Sequence, residues 1–454
     1  MKQFKIAALF VCVVFPLLAG AAPDEYVLSL HQCIEYAGTH SGTLKIRVFE
    51  QGIAREKVAE SVGSALPQIN ASGTLDDNEI VATQLLPGEI MGQPGTFVPV
   101  KFGTKYSFGA GVQLTQMVIN PAFWASLKTT KMGVRLAQQN VQKTAEQLTY
   151  SISKLYYQTL IIQKQVNILK ANLEANEKML ASVELRHQNG MAKKIDVDKI
   201  QLARNNAKSQ LQQMELSLEQ SLNSMKYLLG MPIDHPLRLS DSTLTLEREM
   251  PAPIDLSGRA HENRIDYQML QTELRVQKSG RKSIVATFLP SLSMYARYNY
   301  LAQRQTFNIF QADQDWFKSA VIGFSLSLPL FDGFQKKSRI DQANLNVAIV
   351  EENLKQMEQS VTLDVSNAEI QYRNALENIR NEKDNWKLAE DVYADTRLQY
   401  QQGTGSPLDL IQAETSLKEA QNNYISKLFN LYSARIDLEY SKGTLNNFIQ
   451  EIGD

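Results

Sequence analysis

The chain contains the same series of landmarks twice, and this duplication constrains its fold more than any other feature. The landmarks recur as the pairs Leu66-Pro67 and Leu289-Pro290, Gly190 and Gly403, and Gly230 and Gly443. Both glycine pairs are separated by 213 residues, and in each half the glycines end long helical patterns. A repeat of roughly 200 residues is far longer than a solenoid unit. The sequence therefore predicts two halves that share one architecture.

Most of each half has the pattern of long helices. From Pro121 to about His187 almost nothing interrupts a helix, and apolar residues recur every seven positions: Leu127, Val134, Val141, Leu148, Leu155, Ile162 and Leu169. In the second half the same step holds at Ile340, Val347, Leu354, Val361, Ala368 and Ala375. It then fails around Trp386, which predicts a stagger or a helix break there. A strict seven-residue step predicts coiled-coil packing with a left-handed supercoil, and by itself it fits an ordinary soluble coiled coil.

Four segments alternate apolar and polar residues instead, which is typical of strands with one apolar and one polar face. The predicted strands cover about 67–77, 104–116, 290–301 and 318–330, and polar loops cover roughly 76–103 and 302–317. Ten tilted residues can cross an outer membrane, although a small soluble sandwich would show the same pattern. Four strands cannot close a membrane barrel, for which about eight are needed. A spanning role therefore requires oligomers, and three copies would supply twelve strands.

Composition narrows the cellular setting. Residues 1–22 have the positive end, the apolar run and the small-residue cleavage site of a secretory signal peptide. Cys33 is then the only cysteine, so it cannot form an intramolecular disulfide and is expected to be buried. A net charge near −1 gives no electrostatic case for nucleic acid. The histidines lack metal spacing, and no phosphate loop or nucleophile elbow is present, so we expect no metal, no cofactor and no enzymatic activity.

Together these features resemble the TolC family, the outer membrane factors of export systems. The local matches are the two Leu-Pro pairs, the glycine turns followed by Asp196-Val197 and Asp409-Leu410, and Gly443-Thr444-Leu445-Asn446 after the last helix. The resemblance implies a homotrimer in the outer membrane of a Gram-negative bacterium. Three chains would share one twelve-strand β-barrel and one α-helical tunnel that projects into the periplasm. It also implies a periplasmic adaptor and an inner-membrane pump of the RND or ABC type.

The resemblance also divides the chain. After the signal peptide, residues 23–230 form the first repeat and residues 257–443 the second. Residues 231–256 are the crossover between them, and this crossover is expected to join the C-terminal tail, residues 444–454, in an equatorial belt around the tunnel.

In the family the tunnel closes at its periplasmic end, at the two glycine turns, where adaptor hairpins dock. The docking candidates in this chain are Gly190, Met191, Ala192, Gly403, Thr404, Gly405, Ser406 and Pro407. The resemblance places Asp196 and Asp409 at positions where relatives have pore-facing carboxylates, and Tyr400 at a tyrosine that helps to hold the tip shut. The alternative for Asp409 is a capping box with Ser406 as the N-cap residue, and Asp196 also lies in a first helical turn.

The sequence departs from the best-known branch near Tyr400. Gly405 stands where an arginine is expected, and Gln412 where a second aspartate is expected, so any gate should use other contacts. The competing hypothesis for the whole chain is a periplasmic coiled-coil scaffold without channel activity. That hypothesis leaves the four amphipathic strands unexplained.

Overall fold

The computed structural model of the protein describes residues 26–92, 94–240, 260–308, 311 and 313–453. The predicted signal peptide lies outside the described residues, as do residues 241–256 of the crossover. The chain divides into two compact units. The first comprises residues 1–45, 145–260 and 363–454, and the second comprises residues 46–144 and 261–362.

Long helices account for most of the described chain. They are α1 (Leu30–His40), α2 (Gly42–Gly63), α3 (Pro121–Gln188), α4 (Lys194–Leu229), α5 (Ala260–Asn263), α6 (Ile265–Ala286), α7 (Gln335–Gln401), α8 (Pro407–Lys442) and α9 (Leu445–Gly453). The strands are β1 (Tyr26–Leu28), β2 (Gln68–Asp77), β3 (Thr83–Pro87), β4 (Phe97–Lys101), β5 (Tyr106–Ile119), β6 (Leu237–Leu239), β7 (Ser291–Arg304) and β8 (Phe317–Ser327). None of the helices in the described ranges has both the length and the apolar character needed to cross a membrane.

The second unit contains an antiparallel sheet with the strand order β2-β5-β7-β8. Alternation along each strand gives this sheet an apolar and a polar face. One apolar row across the four strands is Ile69, Leu114, Ala296 and Ile322, and the neighbouring row on the other face is Asn70, Gln113, Arg297 and Val321. The outer edges of β2 and β8 have no strand partner within the described part of the chain.

Polar contacts join neighbouring helices of the second unit. The Thr129 hydroxyl of α3 donates to the Ser279 hydroxyl of α6 at 3.0 Å. The Lys143 ammonium lies 2.7 Å from the Asp266 carboxylate, and a second ion pair joins α6 to α7. Each of these contacts joins one position on a helix to one position on its neighbour, so together they favour a single register between the helices.

The core of the first unit lies between α1, α3, α4, α8 and α9. Cys33 is fully buried in this core, which confirms the prediction made from the sequence. Strand β6 pairs in parallel with β1, and its leucines pack into the same core as apolar residues of α9. The N-terminal strand, the start of the crossover and the C-terminal helix are therefore tied together within this unit.

A buried ion pair lies beside that core. The Arg435 guanidinium is 2.9 Å from the Glu439 carboxylate, one turn further along α8, and both side chains are almost fully buried. Glu439 also accepts a hydrogen bond from the Thr444 hydroxyl, and the Arg435 guanidinium lies over the Phe448 ring of α9. The pair therefore links the end of α8 to α9. A buried charge needs such a partner, because desolvation of an unpaired one is costly.

The structure corrects one expectation from the sequence and excludes one alternative of another. The loop predicted at 76–103 contains a hairpin, in which β3 and β4 pair antiparallel around a short 3-10 helix, Gly88–Met91. Pro87 ends β3, and Gly88 begins the 3-10 helix between the two strands. Of the two alternatives predicted around Trp386, the helix break is absent, since α7 is continuous from Gln335 to Gln401, and a stagger of the heptad pattern remains. The Trp386 ring packs against the Tyr424 ring of α8 at 5.0 Å, so one large side chain interrupts the heptad pattern without interrupting the helix.

Candidate functional site at the two helical turns

Both glycine turns end their helices in the same way. Gly190 and Gly403 have φ values of +74° and +80°, a left-handed conformation that glycine adopts without steric cost. After α3, the Met191 N–H donates to the Arg186 carbonyl at 2.7 Å, and after α7, the Thr404 N–H donates to the Gln399 carbonyl at 3.0 Å. These are Schellman motifs, which satisfy carbonyls that a helix end would leave unpaired. The two turns are thus matched structures, as the duplication predicts.

The second turn is tighter than the first. The Gly405 N–H also donates to the Gln399 carbonyl, at 3.1 Å, which folds the turn back on the last residues of α7. A Cβ atom at Gly405 would lie 2.9 Å from the Tyr400 backbone nitrogen. Any side chain there requires a backbone shift, because real Cβ atoms do not approach backbone so closely. This contact explains why the turn accommodates glycine where the family resemblance leads one to expect arginine.

The candidate carboxylates differ in their local bonding. Asp196 is half-buried, and its carboxylate accepts a hydrogen bond from the Lys193 N–H at 3.3 Å. At the other turn, the Ser406 hydroxyl accepts from the Leu408 N–H at 3.1 Å, with Pro407 in the first helical turn. The Asp409 carboxylate is exposed and makes no hydrogen bond or ion pair in the described part of the chain. Ser406 is therefore the N-cap residue with Pro407 in the first turn, as the capping alternative predicted, but in the described part of the chain Asp409 adds no bond to this cap, whereas Asp196 does cap its helix.

Tyr400 is buried in a small apolar cluster between two helical pairs, α3 with α4 and α7 with α8. Its partners are Val183, Val197, Ile200 and Leu410. Burial raises the pKa of the Tyr400 hydroxyl, the Arg186 guanidinium opposes that rise, and the Asp196 carboxylate adds to it. The tyrosine therefore stays protonated, as a neutral hydroxyl, near neutral pH. The structure brings Tyr400 and Asp196 together, while Asp409 stands apart on the exposed start of α8.

Arg186 makes a polar contact between the two helical pairs, and the sequence did not predict this contact. Its guanidinium lies 5.5 Å from the centre of the Tyr400 ring, and one of its nitrogens donates to the Gln401 carbonyl at 3.2 Å. That carbonyl belongs to the last residue of α7, where helical carbonyls lack intrahelical donors. An arginine in the last turn of α3 is an ordinary complement to the helix dipole, so its reach to α7 leaves no signature in the sequence.

A cavity of about 130 Å³ lies beside this contact, enclosed by α3, α4, α7 and α8. Its wall includes Arg186, Tyr393, Arg397, Tyr400 and Glu414. Glu414 accepts from the buried Asn176 side chain at 2.9 Å and pairs with Lys418 at 2.6 Å. Burial, and then the Glu414 charge, raise the pKa of Tyr393, which Arg397 opposes. No group of residues in the described ranges has the composition of a metal site.

Comparisons with known proteins agree with this architecture. The chain matches the family described as outer membrane efflux protein over residues 44–231 and 256–444. It is 21% identical to outer membrane protein TolC of Vibrio cholerae over 442 residues, which cover 97% of this chain and 96% of the relative. It is 22% identical to the probable efflux pump outer membrane protein TtgC of Pseudomonas putida, covering 91% of this chain and 83% of the relative.

A solved structure shows the same fold. The MtrE outer membrane channel of Neisseria gonorrhoeae, in its open state, aligns with a TM-score of 0.71 at 18% identity, over 98% of each chain. The predicted fold class, long coiled-coil helices with a four-strand contribution to a β-barrel, is therefore confirmed. The family match covers most of the chain in two segments. This chain belongs to the family of outer membrane efflux proteins, and it is an outer membrane channel-tunnel whose helical part extends into the periplasm.

Proposed function

We propose that three copies of this chain form one conduit that carries substrates passively from a periplasmic adaptor and an inner-membrane pump to the exterior. The observation that carries this proposal is the sheet of the second unit, which has an apolar face, a polar face and two edges that no strand of the described residues pairs with. Unpaired edges are a liability that closure into a barrel removes. Three four-stranded sheets give an even number of twelve strands, within the range of outer membrane barrels.

Exposed apolar residues on α7 support self-association. Ile349, Leu363 and Ile370 fall on one seven-residue row, and they are 58%, 60% and 58% exposed in the single chain. A row of this kind on a long helix normally faces another helix in a coiled coil. We expect the neighbouring protomer to cover it. The assembled channel has no chemical step of its own, and the pump supplies the free energy of transport.

The adaptor would dock at the two turns. Gly190, Gly403 and Thr404 are exposed at the helix ends, and Met191 presents 80% of its surface to solvent. An exposed, protruding apolar residue at a rigid turn is a suitable anchor for a partner hairpin. Gly405, Ser406 and the half-buried Ala192 complete the surface, with the Pro407 backbone following them in the first turn of α8.

Site-directed cross-linking in cells tests this docking. Met191→Cys should cross-link to the adaptor, whereas Tyr227→Cys, at a position that is 78% exposed on α4 but far along the chain from the turn, should not. Cys33 is buried and gives little background. Cross-linking of equal strength from both positions, or from neither, would contradict docking at the turn. Deletion of the protein should also sensitise cells to toxic compounds or abolish secretion of a substrate.

The carboxylates at the turns would form acidic rings in a trimer. Asp409 is exposed and unpaired, so its ring should favour cations and bind multivalent ones. Asp196 also caps its helix, so its removal should lower stability by about 0.5–2 kcal/mol. In planar bilayers, Asp409→Ala should reduce cation selectivity and block by trivalent cations without lowering the melting temperature. An unchanged reversal potential in Asp409→Ala would remove the electrostatic role.

A further inference from the structure

One charged side chain stands alone in the middle of the polar sheet face. Arg297 lies on β7 between Gln113 of β5 and Val321 of β8 in register, and Asn70 of β2 continues the row. Its guanidinium forms no ion pair in the described part of the chain, and the side chain is exposed. A long cationic side chain with no carboxylate partner is available to attract anions from solution.

The rest of the polar face supplies no compensating charge nearby. Among the residues of the four sheet strands, Asp76 is the other side chain on this face that is charged at neutral pH. Asp76 occupies the row of Ser107 and Gln303. That row is six residues along β7 from Arg297, or about 20 Å at 3.3 Å per residue. This exceeds the Debye length of about 8 Å at physiological ionic strength, so Asp76 does not neutralise the field of Arg297.

The sheet is built to hold the guanidinium in place. Tyr295 lies flat across the sheet, with its hydroxyl 2.6 Å from where a Cβ atom of Gly323 would stand. Asn299 lies in the same way over Gly111. Glycine at these positions gives both side chains room. The flat Tyr295 ring then presents its face to the Arg297 guanidinium, 5.0 Å from the ring centre. A cation in this position is held by the ring quadrupole.

We infer that Arg297 determines charge selectivity in the barrel lumen, where three copies form a cationic ring that concentrates organic and inorganic anions bearing carboxylate, sulfate or phosphate groups. The inference rests on the proposed trimeric channel, in which the polar sheet face lines the lumen and the apolar face meets lipid. The ring has the opposite sign to the acidic rings expected at the turns. Tyr295 acts as a positioning residue for the guanidinium.

Reversal potentials in planar bilayers test the charge. The full-length protein is measured across a KCl gradient near physiological ionic strength, because the Debye length there is about 8 Å and Asp76 is screened from Arg297. Arg297→Gln should shift the reversal potential toward cation selectivity, and Arg297→Lys should keep the wild-type value. Lys318→Gln is the matched control, since Lys318 also lies over a tyrosine ring, at 5.6 Å from Tyr300, but on the apolar face. It should leave the potential unchanged.

Thiol accessibility tests the orientation independently. In proteoliposomes, Arg297→Cys should react with a membrane-impermeant sulfonate thiol reagent, whereas Ala296→Cys, next to it on the other face, should be protected. Equal labelling of the two, or a reversal potential unchanged in Arg297→Gln, would overturn the inference about Arg297 alone. A wild-type protein that forms no conducting channel would overturn the proposed function as well, so the two failures are distinguishable.

Discussion

Replacing Arg186 with alanine should loosen the contact between the two helical pairs at the turns. The side chain makes one charge-assisted hydrogen bond, to the Gln401 carbonyl, and one cation–π contact, to Tyr400. A hydrogen bond to a charged group contributes about 1.5–3 kcal/mol, and a partly exposed cation–π contact about 0.5–1 kcal/mol. Arg186 is half-buried, so we take the loss as about 1–3 kcal/mol per protomer, or roughly 5- to 150-fold in an equilibrium constant.

If this contact holds the tip closed, Arg186→Ala should raise the occupancy of high-conductance states of single channels in planar bilayers. Arg397→Ala is the matched control, because Arg397 lines the same cavity but makes no hydrogen bond in the described part of the chain. Tyr400→Leu combined with Arg186→Ala should change the occupancy by less than the sum of the single changes, because the two residues are in contact. The reasoning fails if Arg186→Ala and Arg397→Ala give the same occupancy, or if the double change is additive.

Three stability measurements follow from other parts of the fold. Glu439→Ala should lower the stability of the protein by about 3–5 kcal/mol because it leaves the buried Arg435 without its ion-pair partner. Glu50→Ala removes an exposed ion pair and should change the stability by less than about 1 kcal/mol. Equal melting temperatures for the two variants would contradict this expectation. Gly405→Ala should destabilise the protein because its Cβ meets backbone, while Gly280→Ala, with open space in α6, should stabilise it by about 0.4–1 kcal/mol. Burial disfavours the charged form of Asp266, but its hydrogen bonds to Lys143 and Arg264 outweigh burial and lower its pKa. The stability that the charged carboxylate contributes is therefore present above the unfolded pKa and lost as the pH falls through the folded pKa. The melting temperature of Asp266→Asn should accordingly fall less at acid pH than that of the wild type.

Periodicity in the sequence was sufficient for the main elements. Alternation predicts strands and seven-residue rows predict coiled-coil helices, because each pattern follows directly from backbone geometry. The glycine turns were also predictable, since a left-handed residue at a helix end favours glycine. These signals are local, and local signals survive in a single sequence.

Contacts between distant segments were not predictable in the same way. The reach of Arg186 to the end of α7 depends on how two helical pairs pack, and any arginine near a helix end has the same local pattern. The hydrogen bond that the Asp196 carboxylate accepts from the Lys193 N–H, and the lack of such a bond at Asp409 in the described part of the chain, depend on distances that motifs do not encode. The uninterrupted α7 shows a further limit, because the heptad pattern fails around Trp386 although the helix continues through it.

In the proposed channel, one chain supplies a third of a closed barrel. Native mass spectrometry of the protein extracted from outer membranes in detergent measures this directly, since it counts the chains in the assembly. Three chains per particle are predicted, because the four strands, whose outer edges no described strand of the same chain pairs with, close only when neighbours complete the sheet. Particles that contain one or two chains, or recovery of the protein without an outer membrane fraction, would contradict the account.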